Sequence, residues 1–202
     1  MNWGALTGVA FVAVAILSLV VGGEPPEASE PVREVVDHYV DNKDSIEIGA
    51  ALATLAGLLL IFFAANLRKV LQEADDSDSI LPAVVLAGAS VMAVGVAIDA
   101  MISFALAETA GDVQPTAVQA LQALWDNDFF PIALGTTVFM LATGLSVVLH
   151  GGLPKWLGWI AVLFGVVGLT PVGFIGFLGG ALWIAVVSVL LARRRTPPPV
   201  AA

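Results

Sequence analysis

Six long apolar runs, at about residues 2–22, 46–67, 80–107, 129–149, 156–172 and 174–192, dominate this chain of 202 residues. A helix rises 1.5 Å per residue, so 22 apolar residues make a rod of roughly 33 Å, enough to cross a hydrocarbon core of about 30 Å. With 58% hydrophobic and 12% charged residues and a mean hydropathy of +0.94, the chain cannot clothe itself in a polar surface. The expected fold is therefore all-α: a polytopic membrane helix bundle of six transmembrane helices. Residues 1–195 read as a single integral membrane domain and 196–202 as a flexible cytoplasmic tail. The first run lacks the basic start and small-x-small end of a cleaved leader, so it reads as a retained helix.

Charge placement gives the bundle an expected orientation. Arg68, Lys69, Lys155, Arg193, Arg194 and Arg195 flank one side of the spans, and only Arg33 and Lys43 lie on the other. The positive-inside rule then puts both termini in the cytoplasm and the loops 23–45 and 108–128 outside. Trp3, Trp125, Trp156 and Trp159 fall at span ends, where indoles favour the interface. Gly88, Gly95, Gly165, Gly168, Gly176, Gly179 and Gly180 lie within or at the ends of spans, and small residues let membrane helices approach closely.

Each outer loop carries a short amphipathic helix. Val32, Val35, Val36, Tyr39 and Val40 share one face of residues 31–42, and Val118, Leu121, Leu124 and Trp125 share one face of 115–125. Both are followed by Asp-Asn pairs, Asp41-Asn42 and Asp126-Asn127, and then by a span. The order recurs within residues 1–69 and 80–150, as a parallel internal repeat would. The favoured explanation is simpler: the Asp and Asn side chains cap the helices that start there.

The chain's one formally charged residue well inside a run is Asp99. An ionised acid at a bilayer centre costs about 2.5–3.5 kcal/mol on insertion scales, so the side chain should face the bundle interior. Eight residues before Ala107, it is expected roughly 12 Å below the outer surface. Thr54, Thr136 and Thr137 are its expected partners, and Glu47, Asp126 and Asp128 the expected rim of an acidic outer vestibule. A functional acid and a protonated acid in one interhelical hydrogen bond weigh about equally.

Several chemistries are excluded or disfavoured. The chain has no cysteine and a net charge of −9, which removes thiolate chemistry and argues against nucleic acid. His38 and His150 are expected on opposite sides of the membrane, so they cannot share a metal. His38 with Asp37 and Asp41 reads as a solvated face rather than a cation site. No H-E-x-x-H, G-x-S-x-G or phosphate-cradling loop occurs. Hence no catalytic, cofactor or metal residue is expected, and no enzyme.

The segment Gly152-Leu153-Pro154-Lys155-Trp156-Leu157-Gly158-Trp159, with Gly165, Gly168 and Thr170-Pro171-Val172-Gly173-Phe174, resembles an uncharacterised (domain-of-unknown-function) family of actinobacterial multi-pass membrane proteins. Tyr39–Asn42 and Leu67-Arg68-Lys69-Val70-Leu71 resemble it too. The resemblance implies a multi-pass protein of the bacterial plasma (inner) membrane and assigns no activity. The leading expectation is a non-enzymatic interaction or structural protein, whose partners are the lipid bilayer and another membrane protein or a second copy of itself. The alternatives are a small proton- or cation-linked transporter using Asp99, and an outward-facing lipid- or small-molecule-binding protein with a pocket walled by Val36, Tyr39 and Trp125.

Overall fold

The computed structural model describes residues 3–75, 77–170 and 172–193, without the side chain of Trp3. Asp76, Pro171, Arg194, Arg195 and the tail 196–202 lie outside the described residues. Eight helices are present among the described residues: α1 Trp3–Gly22, α2 Val32–Asp41, α3 Lys43–Glu73, α4 Leu81–Thr109, α5 Pro115–Trp125, α6 Phe129–His150, α7 Lys155–Val167 and α8 Gly173–Arg193. The chain is an all-helical bundle, and α1, α3, α4, α6 and α8 are long and apolar enough to cross a membrane.

The run expected as a span at 156–172 behaves differently. Its helix, α7, has 13 residues, about 20 Å, well short of a hydrocarbon core. The register against α6 shows where it stops. Gly144 meets Gly158 and Val162, Gly165 meets Leu141, and Gly168 meets Thr137. Thr137 is eight residues into α6, so α7 ends about 12 Å short of the start of its neighbour. The helix ends there because Gly168 is followed by a turn closed by the Thr170 hydroxyl, which donates to Val167 O at 2.7 Å. The rings of Phe174 and Phe177 fill the space towards Phe129, each 6.0 Å from it centroid to centroid.

The core forms where small residues remove the barrier to close packing. α4 packs most extensively on α6 and α1 on α3. A Cβ at Gly135 would fall on the Met92 backbone nitrogen, and one at Gly88 on that of Phe139. Leu60, Phe63, Phe139, Met140 and Trp183 fill the centre. α8 closes the bundle against α1: Ser188 donates to the Ala5 carbonyl and accepts from Val9 N–H at 3.0 Å. Outward-turned Leu19, Phe130, Trp159 and Leu182 form an apolar perimeter, each more than 60% exposed, which is suited to hydrocarbon and unsuited to water.

A second apolar cluster lies at one end. Val35 and Tyr39 of α2 and Val118 of α5 pack with Ile46 of α3 and with Ile102 and Leu106 of α4. α2 and α5, the two amphipathic helices, thus cover the ends of α3 and α4 as a cap. The asparagine side chain of each Asp-Asn pair serves the helix before it rather than the one after. The side chains of Asn42 and Asp128 make no cap to the helix that follows. Asn42 Nδ2 instead donates to His38 O at 2.9 Å, and Asn127 Nδ2 to Ala123 O at 2.8 Å. The physical reason is that each short helix ends abruptly with carbonyls that need donors, and an amide supplies one.

At the other end His150 joins two connections. Its Nδ1 lies 3.6 Å from Asp75 Oδ2, and its Nε2 is 3.3 Å from Ser77 Oγ. Asp75 also accepts from Ser77 N–H, Ser77 Oγ and Ser79 N–H. These bonds hold the carboxyl below its ordinary value, the Ser77 hydroxyl first among the causes.

Candidate functional site

The capped end stands proud of the rest of the bundle because the helices differ in length and start at different levels. Gly95 of α4 lies against Pro131 and Ile132 of α6. Counting three residues on along α4 and three back along α6 puts Phe129 level with Ile98. Residues 99–109 of α4 therefore project about 16 Å beyond the start of α6. On the other side, Gly49 abuts the Gly22 backbone and Gly57 abuts Ala93. By the same counting the end of α1 is level with about Met101. Asp99 thus sits where bundle meets cap, beside the ends of α1 and α6.

A cavity of about 70 Å³ opens at this junction, room for a few water molecules or one small head group. Asp99 and Ser103 of α4 line it together with Ser18 of α1, His38 and Tyr39 of α2, and Trp125 at the end of α5. Apolar walls come from Leu19, Pro25, Ile46, Ala50 and Ala53. No lysine or arginine is among the lining residues. The cavity is lined by Tyr39 and Trp125 as expected for an outer pocket, but not by Val36.

Two polar groups converge on Asp99 without being saturated. His38 Nε2 is buried and has no hydrogen-bond partner. The Trp125 indole N–H is also buried; it interacts with the Asp99 carboxylate but falls short of full hydrogen-bond geometry. Burial holds the His38 imidazole below its ordinary value, so it is neutral at pH 7. Its ring meets that of Tyr39 edge-on, with centroids 5.3 Å apart.

Tyr39 anchors the cap beneath which the cavity lies. Its hydroxyl donates to Gln122 Oε1 at 2.5 Å, Gln122 Nε2 donates to Asp126 Oδ1 at 2.8 Å, and Ala28 N–H donates to Asp126 Oδ2 at 2.9 Å. Gln119 Nε2 adds a bond to Ala28 O at 2.9 Å. Burial, with the nearby charges of Asp126 and Asp99, pushes the phenol above its ordinary range, so it stays a donor. The loop after α1 is thereby strapped to α5 at the mouth of the cavity.

The other expected site residues lie elsewhere. Asp126 belongs to the strap. Asp128 immediately precedes α6 and feels the charge of Asp99, and its Oδ2 is buried without a hydrogen-bond partner. Glu47 faces Lys43 at 3.7 Å, and Lys43 reaches Glu108 at 2.9 Å, an ion-pair group at the ends of α3 and α4 outside the cavity. Thr54 donates to Ala50 O of its own helix at 3.0 Å. Thr136 donates to Met92 Sδ at 3.5 Å, and Thr137 packs against Gly168. None of the three threonines lines the cavity.

His38, Ser18 and Ser103 escaped sequence reasoning as cavity residues. The only signal available was that His38 stands next to Tyr39 on the buried flank of α2. Asp37, its other neighbour, turns away to Arg33 at 3.4 Å. No cluster of three or more His, Cys, Asp or Glu able to hold a metal occurs among the described residues. No family model, curated protein or solved structure matches the chain.

Proposed function

We propose that this protein is a non-enzymatic, small-molecule-binding protein of the bacterial plasma membrane, with its capped end and cavity facing outward. The observation that carries the reading is the convergence of Asp99, His38 and Trp125 on one cavity at the junction of bundle and cap. A purely structural or docking bundle has no need of such a convergence, since each polar group costs free energy to place there. Orientation is supported by Lys69, Lys155 and Arg193 at the end opposite the cap. Below the cavity the centre is filled by Leu60, Phe63, Phe139 and Met140, which favours binding at the outer end over passage through the bundle.

The test is a thermal-stability screen of the purified protein in lipid nanodiscs against small cationic, neutral and anionic organic molecules. A compound that binds only the folded state raises the unfolding midpoint in proportion to its occupancy. The reading expects stabilisation by at least one class and its loss in Ala53→Leu, which fills the cavity. Stabilisation that survives Ala53→Leu, or none from any class, contradicts it.

A further inference from the structure

We infer that the ligand of the Asp99 cavity is a small organic ammonium ion with a short apolar tail, a proposal that rests on reading the cavity as a binding site. The argument starts from what the lining offers. Asp99 is an acid with no lysine or arginine among the cavity walls, so an anionic ligand meets an uncompensated like charge and a cationic one meets its counter-ion. A carboxylate in such surroundings is stabilised by an opposite charge, and no lysine or arginine of the lining supplies one.

The neighbours refine the class. Tyr39 and Trp125 bring aromatic rings to the same cavity, and such rings attract organic cations. His38 Nε2 is buried and unpartnered, and as a neutral ring nitrogen it can accept a hydrogen bond from an ammonium N–H in the tautomer with the proton on Nδ1. Ser18 already donates to Gly49 O at 2.9 Å, which leaves its oxygen lone pairs free to accept. These groups suit a cation that both donates hydrogen bonds and presents carbon.

A divalent metal ion fits poorly. Calcium takes six to eight oxygen ligands and zinc four tetrahedral ones, whereas the lining supplies one carboxylate, one imidazole and hydroxyls. A bare monovalent metal ion would leave the walls of Leu19, Pro25, Ile46 and Ala53 unused. A volume of about 70 Å³ holds the head group and first carbons, with the tail directed past Leu19 and Pro25.

The experiment titrates n-butylammonium, n-butanol and butyrate into the full-length protein in nanodiscs, with heat of binding as the readout. The expected result is saturable binding of n-butylammonium at least tenfold tighter than n-butanol, no binding of butyrate, and at least tenfold weakening in Asp99→Asn. The comparison among the three probes uses the unaltered protein, so it holds even if Asp99→Asn fails to fold. Should n-butanol bind as tightly as n-butylammonium and Ala53→Leu block both, the cation assignment falls while the binding pocket stands. Should no probe bind, or should binding persist undiminished in Ala53→Leu, both fall.

Discussion

The Tyr39 hydroxyl and Gln122 Oε1 meet at 2.5 Å across 83 residues of sequence, and both side chains are closed to solvent, at 1% and 0% exposure. This bond joins the two cap helices, which otherwise meet through a small apolar cluster. Removing the hydroxyl strands a buried acceptor, and such a loss costs about 1–3 kcal/mol. Tyr39→Phe should therefore lower stability by that order, measured as a shift in the unfolding midpoint, with the helical content unchanged. An unshifted midpoint would show that the bond contributes nothing to holding the cap.

The crossing of α4 and α6 depends on missing side chains. Gly135 has the backbone of Met92 where its Cβ would be, and backbone cannot move aside as a flexible side-chain end can. Gly135→Ala should cost about 1–3 kcal/mol through forced separation of the helices. Gly111→Ala is the control: its added carbon would meet only Val40 Cγ2 at 3.7 Å, an ordinary contact. Equal stability of the two variants in a detergent unfolding assay would contradict the close crossing.

At the end opposite the cap, Asp75 ties the α3–α4 connection to His150. Its folded-state pKa is lowered, chiefly by the Ser77 hydroxyl. A depressed acid contributes stability that is present above its unfolded value, about 3.9, and is lost as pH falls through the folded value. Asp75→Asn should therefore lower the unfolding midpoint at neutral pH, and the gap to the unaltered protein should close as pH drops below about 4. A gap of constant size down to pH 3 would remove the carboxylate as its source.

Much of this arrangement is legible in the sequence, and the remainder depends on register. The apolar runs announce the long helices, and the spacing of Val32, Val35, Val36, Tyr39 and Val40 announces α2, because both signals are local periodicities. The position of Asp99 is not local: counted along α4 alone it lies deep, and only the contacts Gly95–Ile132 and Gly49–Gly22 place it at the junction. Asn42 and Asn127 defied expectation because an amide between two helices can serve either one, and the sequence does not say which. The stop at Gly168 is similar. Hydropathy runs on through Val172, but Gly168 and the Thr170 turn end the helix earlier than apolarity does.

The most direct test of an outward-opening Asp99 cavity uses the absence of native cysteine. Ser103→Cys places a single thiol in the lining, and a small membrane-impermeant cationic methanethiosulfonate is added to intact cells. The account predicts modification from the medium and a slower rate in the presence of saturating n-butylammonium. Modification only from the cytoplasmic face, in inverted vesicles, would contradict it.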